Sequence, residues 1–250
     1  MMFPNWHTQA IYDGLISTKQ RTGLDDVIML TRSAWAGMSK YGAALWSGDT
    51  DSTWTSLQVS VTAGLNAQMS GIAWWTTDIG GYAKGDIESA DFRELIVRWF
   101  QYGSVCSLFR QHGARDTEIW LLGDEAEAAI TKTIKWRADM KGYVLEAMKS
   151  VSETGQPVNR PLIFDFPEDQ NCWGVERQFM FGANILAAPV TVFGARTWSV
   201  YLPTQGGSTM TTWKHMFTNE MLLVARHMRL MHPWTSSLCF KCKIKHIYCF

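Results

Sequence analysis

YGAALWSGDTDSTWTSLQVSVTAGLNAQMSGIAWWTTDIGGY, residues 41–82, is the stretch that decides the fold class. YGAALW (41–46) is a short apolar run that ends in Ser47-Gly48-Asp49, and IAWWTT (72–77) is a second, ending in Asp78-Ile79-Gly80-Gly81. Between them Leu57, Val61, Leu65 and Met69 recur four apart, the spacing of one helix face over Trp54 to Met69. A strand, a helix and a second strand, each strand closed by polar residues, is the unit of a parallel sheet covered by helices.

The same unit extends in both directions. Upstream, VIML (27–30) is a buried-looking run ending in Thr31-Arg32. Downstream, Asp91 with Glu94 three residues later predicts a helix N-cap with its reciprocal partner. Phe92, Leu95, Ile96, Trp99 and Phe100 then mark an amphipathic helix. A short apolar stretch closes in Phe109-Arg110-Gln111-His112-Gly113, and one long helix is expected from about Glu125 to Val151. The texture changes near Gly155-Gln156-Pro157, which places a domain boundary near residue 156. Beyond it, short strands are expected at PLIFDF (161–166), FMFGANILAAPV (179–190) and TWSVYL (197–202). In the last of these, Trp198, Val200 and Leu202 alternate with Thr197, Ser199 and Tyr201, the period of a half-buried antiparallel strand.

From about residue 222 neither period continues, and 222–250 is expected to lie outside the folded domain as a disordered or non-native tail. Cys239, Cys242, His246 and Cys249 crowd there in the manner of a zinc knuckle. Their spacing is tighter than finger patterns and no turn residues shape a loop between them, so no metal site is expected. The five Cys residues form no readable disulfide framework.

Composition narrows the partners. Hydrophobic residues make up 46% and charged residues 18%, a globular balance, and Lys plus Arg equals Asp plus Glu at 23 each. A neutral chain without charge blocks argues against nucleic acid as a partner. MMFPNWHTQA has neither the positive nor the apolar region of a signal peptide, and no apolar run is long enough to span a membrane. Localisation and oligomeric state are not legible. Thirteen Trp residues suit core packing, and their flat faces also suit stacking on sugar rings.

Arg32, Asp49, Asp78 and His112 share one address: each follows an apolar strand at its C-terminal end. In a (β/α)8 barrel that end is where catalytic groups from several strands converge. Trp46 lies three residues before Asp49, and Trp74-Trp75 just before Asp78. Indole faces beside carboxylates fit a sugar, whose C–H face stacks while its hydroxyls take directional hydrogen bonds. Glycoside hydrolysis needs two carboxyl groups, one protonated at working pH, and an apolar wall at Trp46 would favour that state for Asp49.

TRSAWAGMSKYGAALWSGDTDSTWTSL (31–57), GIAWWTTDIGGY (71–82), FRELIVRWFQYGSVCSLFRQHG (92–113) and RPLIFDFPED (160–169) resemble glycoside hydrolase family 31. The WWTTDIGG form is most similar to its α-xylosidase and related α-glucosidase branch, and the resemblance runs in order from about Phe3 to about Asn219. It implies an α/β fold: the C-terminal half of a (β/α)8 TIM barrel over 1–155, then the beginning of an antiparallel β-sandwich over 156–221. It implies a retaining mechanism through a covalent glycosyl-enzyme, acting on nonreducing-end α-xylosyl or α-glucosyl groups of oligosaccharides. No metal or organic cofactor is expected. Asp49 falls on the general acid/base, and Arg32, Trp46, Asp78, Arg110 and His112 fall on the subsite for the nonreducing-end sugar, with Trp75 as its wall. The family's nucleophile is an Asp at the end of the fourth barrel strand, upstream of these motifs. Asp13, Asp25 and Asp26 lack that motif's aromatic lead-in. The chain therefore reads as a truncated homologue, expected to be inactive by itself. The alternatives are a non-catalytic sugar-binding remnant and an unstable partial gene product, since half a barrel leaves strand edges open.

Overall fold

The computed structural model describes residues 2–18, 27–204, 212–215, 221–223, 226–231 and 239–242. After helix α1 (Phe3–Ser17), three strands form a parallel sheet in chain order: β1 (Met29–Thr31), β2 (Ala43–Trp46) and β3 (Trp75–Thr76). Leu108 N donates to Trp75 O, and Ile79 bridges Gln111 in parallel, so residues 108–111 continue the sheet past β3. Helix α2 (Trp54–Met69) crosses from β2 to β3, and α3 (Ala90–Gly103) crosses from β3 to this fourth segment. Parallel pairing requires such crossovers. Thr53 starts α2, its Oγ1 accepting the Ser56 amide at 3.1 Å.

Leu57, Val61 and Leu65 are buried as their spacing predicts, but Met69 is 45% exposed. Gln68 takes the inward place in that last turn: its Nε2 donates to Asn159 Oδ1 (3.1 Å) and its Oε1 accepts the Asn159 amide (2.8 Å). The predicted capping box is also not formed. Ser89 precedes α3 without a side-chain cap, Asp91 accepts from Trp54 Nε1, and Glu94 is buried in ion pairs with Arg98 and Arg196. The long helix expected from Glu125 is two helices, α4 (Asp124–Asp139) and α5 (Lys141–Thr154), because the chain turns at buried Met140, whose ψ is 4°.

The second half is β-rich. β4 (Asn159–Pro161), β5 (Phe179–Phe181) and β6 (Ile185–Ala187) join β11 (Cys239–Cys242), β8 (Thr212–His215) and β9 (Met221–Leu223) in an antiparallel six-stranded sheet of order β4-β5-β6-β11-β8-β9. β7 (Thr197–Leu202) pairs with β10 (Arg226–Met231) over six residues. PLIFDF was expected as a strand; instead Pro161 ends β4 and Leu162–Asp165 form the helical turn α6. Asp165 there receives both arms of the buried Arg160 guanidinium, at 2.9 and 3.0 Å, which favours the turn over an extended run. Within the stretch 222–250, which was expected to lie outside the folded domain, the described residues Arg226–Met231 and Cys239–Cys242 are paired strands, β10 and β11. Weak polar–apolar alternation hides these strands, whose placement comes from partners far away in sequence. His246 and Cys249 lie outside the described residues.

One apolar core runs from Leu57 and Ile96 in the α/β half to Phe179, Leu186 and Trp213 in the β half. Arg137 on α4 joins the halves: it donates to Ser104 O (2.8 Å) and Ser107 O (3.0 Å) and stands 5.6 Å from the Phe181 ring. Burial pushes its pKa down to about 10. No helix among the described residues is long and apolar enough to cross a membrane.

Asp169 organises the segment between β4 and β7. It accepts from Tyr201 Oη (2.7 and 2.8 Å), the Thr204 amide (3.1 Å) and the Asn171 amide (3.2 Å). Burial pushes its carboxyl pKa up, but these donors together outweigh burial and hold it below the usual carboxylate value. A depressed folded pKa gives stability that is present above the unfolded pKa and lost as pH falls through the folded one. Asp169→Ala should therefore cost about 1–3 kcal/mol at neutral pH. In urea titrations the deficit should shrink below about pH 4.

Candidate active site

The strand ends carry three loops, 47–53 after β2, 77–89 after β3 and 112–118 after the fourth segment. Backbone bonds stitch them together. Tyr82 and Ala83 amides both donate to Thr50 O (2.8 and 3.1 Å), Ser52 N donates to Ala83 O (2.8 Å), and Ala114 N donates to Tyr82 O (2.8 Å). Side chains reinforce the first seam: Lys84 Nζ lies 2.7 Å from Asp51 Oδ2, and Ser52 Oγ donates to Ala83 O at 2.9 Å.

The expected site residues fall into three contacts on this frame. Arg32, just past β1, pairs with Asp49 and lies over the Trp46 ring at 5.4 Å. The Asp49 side chain is 44% exposed, and its neighbour is this guanidinium; the indole wall expected beside it is reached through Arg32. Asp78 is fully buried and takes Arg110 on Oδ1, while its Oδ2 is buried without a partner among the described residues. Trp46 Nε1 and Thr50 Oγ1 are likewise buried without one. Buried polar atoms are nearly always hydrogen-bonded, so these three atoms at the strand ends keep hydrogen-bonding capacity that a polar group can take up. His112 is exposed at the rim, with Tyr82 packed on it at 5.6 Å.

Trp75 is the exception. Its indole is 4% exposed and donates from Nε1 to Tyr102 Oη at 3.2 Å. A Cβ on Gly64 of α2 would stand 2.5 Å from that nitrogen, so the ring is wedged between α2 and α3 on the helix side of the sheet. Strand parity explains the correction. Trp75 and Thr77, whose Oγ1 accepts from Trp99 Nε1 (2.9 Å), share the helix-facing side; Trp74, Thr76 and Asp78 have the opposite parity. Asp13 is exposed in α1, and Asp25 and Asp26 lie outside the described residues.

Sequence reasoning missed Arg115 and Tyr82. Tyr82 stood inside the quoted GIAWWTTDIGGY motif without a role. Arg115 donates to Gly80 O and Gly81 O at 2.8 and 2.9 Å, and only the glycine pair hinted that something must come close. Among the described residues, no cluster of three His, Cys, Asp or Glu could hold a metal.

Comparison with known proteins places this geometry. The glycosyl hydrolases family 31 TIM-barrel domain matches residues 1–147, and the family 31 C-terminal domain matches residues 155–243. An α-xylosidase of Saccharolobus solfataricus is 36% identical over 227 residues, which are 90% of this chain and 30% of that protein. Neutral α-glucosidase C of Homo sapiens is 36% identical over 201 residues, 79% of this chain and 21% of that protein. Among solved structures, a family 31 α-xylosidase from a soil metagenome, complexed with xylose, superposes with a TM-score of 0.89 at 35% identity, covering 97% of this chain and 38% of its own. The chain thus spans about a third or less of the length of the curated relatives.

Proposed function

The chain belongs to glycoside hydrolase family 31, and we propose that it supplies the acid/base and sugar-binding side of a retaining α-glycosidase site for nonreducing-end α-xylosyl or α-glucosyl residues of oligosaccharides. The observation that carries this reading is the placing of Asp49 and Asp78 on adjacent loops bonded into one frame, with Asp78 Oδ2 unsatisfied.

In this reading Asp49 gives its proton to the leaving-group oxygen as the glycosidic bond breaks. In the second half-reaction it takes a proton from water. The Arg32–Asp49 pair is exposed on both sides, and such pairs are worth ~0–1 kcal/mol. A sugar hydroxyl can therefore displace Arg32 from the carboxyl at little cost. Asp78 accepts hydroxyls of the nonreducing-end sugar, and Arg110 holds its other oxygen so that it cannot turn away. His112 and Tyr82 close the rim. The attacking carboxylate is assigned to no residue of this chain. The names of the relatives include both α-xylosidases and α-glucosidases, and the test must offer both sugars.

The test exchanges this chain for the matching segment of the Saccharolobus solfataricus α-xylosidase and assays aryl α-xylosides and α-glucosides. Hydrolysis with retention is expected; a folded chimera inert to both sugars would sink the reading. In the same chimera Asp78→Ala should raise the dissociation constant of the monosaccharide product roughly 10- to 100-fold, the worth of one hydrogen bond to a charged group.

A further inference from the structure

Arg115 lies in the same loop as His112, five residues past Arg110, yet its guanidinium turns back onto the neighbouring loop. It donates to three consecutive carbonyls, Gly80 O (2.8 Å), Gly81 O (2.9 Å) and Tyr82 O (3.4 Å), and its charge rests 4.5 Å above the Phe92 ring of α3. Glycines make its berth. A Cβ on Gly80 would stand 2.8 Å from Nη2, one on Gly85 3.0 Å from Nε, and one on Gly113 3.2 Å from Nη1. A Cβ on Gly81 would meet the Ser52 backbone at 2.8 Å, so the carbonyls held by Arg115 also press against the Asp49 loop. Lys84, just beyond, is held at a φ of +63° while it pairs with Asp51. A non-glycine residue persists there only when its surroundings fix it.

We propose that Arg115 is the positioning residue of the sugar site: one guanidinium, spanning Gly80 to Tyr82, locks the loops of Asp49, Asp78 and His112 into a single frame. Asp78 is two residues before Gly80, and Tyr82 carries both the amide bonded to Thr50 O and the ring packed on His112. A planar fork can bind several carbonyls at once, whereas a lysine offers a single point charge. The proposal rests on the glycosidase reading for its purpose, but the lock itself can be tested without turnover.

The experiment compares the 250-residue wild type with Arg115→Ala, Arg115→Lys and Gly113→Ala. Two quantities are read: hydrogen exchange at the Gly81, Tyr82, Ala83 and Ala114 amides, and affinity for xylose and glucose by titration. Arg115→Ala should speed exchange at those four amides about 10-fold or more, with α2 amides unchanged. It should weaken monosaccharide binding by about 10-fold. Added guanidinium should restore both, and Arg115→Lys should restore them only in part. Should Arg115→Ala fail to fold, Gly113→Ala, whose Cβ would stand 3.2 Å from Nη1, 3.2 Å from Thr117 Cγ2 and 3.3 Å from Gly81 O, carries the same expectation in milder form. Wild-type exchange rates in both variants would overturn the lock. Lost binding with unchanged amides would also overturn it, because Arg115 would then be touching the sugar itself. If the wild type binds neither sugar while the amides respond as expected, the lock stands and the glycosidase reading fails.

Discussion

Asp49→Ala, placed in the active chimera, should depress hydrolysis of unactivated α-glycosides by ~10²–10⁴-fold, the range for general acid–base catalysis. The loss should depend on the leaving group. The fluoride of a glycosyl fluoride, or a dinitrophenolate leaving group, needs little protonation, so the first half-reaction survives and the glycosyl-enzyme forms. Its hydrolysis is then slow, because no base activates water, and the covalent intermediate should accumulate in intact-protein mass spectra. Azide needs no base; adding it should speed turnover and yield an α-configured glycosyl azide. Asp78→Ala should respond differently. Its carboxylate is buried beside Arg110 and faces no proton-transfer task, so its removal should weaken binding and turnover for every leaving group, without azide rescue. Rescue at Asp78 in place of Asp49 would mean that the acid sits on the wrong strand end.

What was legible beforehand follows from how local each signal is. The strand–helix–strand alternation over 27–113 rests on local periodicity, and β2, α2 and β3 fall where it places them. Arg32, Asp49, Asp78 and His112 were singled out because each follows an apolar run, and Arg110 by the family resemblance; the structure pairs Arg32 with Asp49 and Arg110 with Asp78 at the strand ends. Trp75, which the resemblance implied as the wall of the subsite, is turned toward the helices, because odd and even residues of a strand face opposite sides. The pairing of β10 and β11 depended on distant partners, which no window of local sequence contains. Arg115 was invisible for the same reason: its three acceptors lie some thirty residues away.

The second large effect is expected at Glu94, which sequence reading placed in a capping box and the structure places in the core. Its side chain is 4% exposed and serves two arginines: Arg98, 0% exposed, at 3.7 Å, and Arg196 of the β half at 3.0 Å. Burial is the main force lowering the Arg98 pKa, to about 10; Glu94 opposes it, and Arg196 adds to it. Glu94→Ala would leave the burial penalty and the repulsion from Arg196 acting without their counter-ion. Removing one partner of a buried pair typically costs about 3–5 kcal/mol. Urea titration should show a lower midpoint with the slope unchanged. Replacing both charges by apolar groups of similar size removes the desolvation penalty along with the attraction. Glu94→Leu with Arg98→Met should therefore recover most of the loss, down to within about 1 kcal/mol of wild type or better. Arg98→Met alone should cost less than Glu94→Ala, since Glu94 keeps Arg196. If Glu94→Ala shifts the midpoint by less than 1 kcal/mol-equivalent, on the scale of an exposed pair at ~0–1 kcal/mol, then the ion pair is not buried in solution and α3 is not anchored to the β half through it.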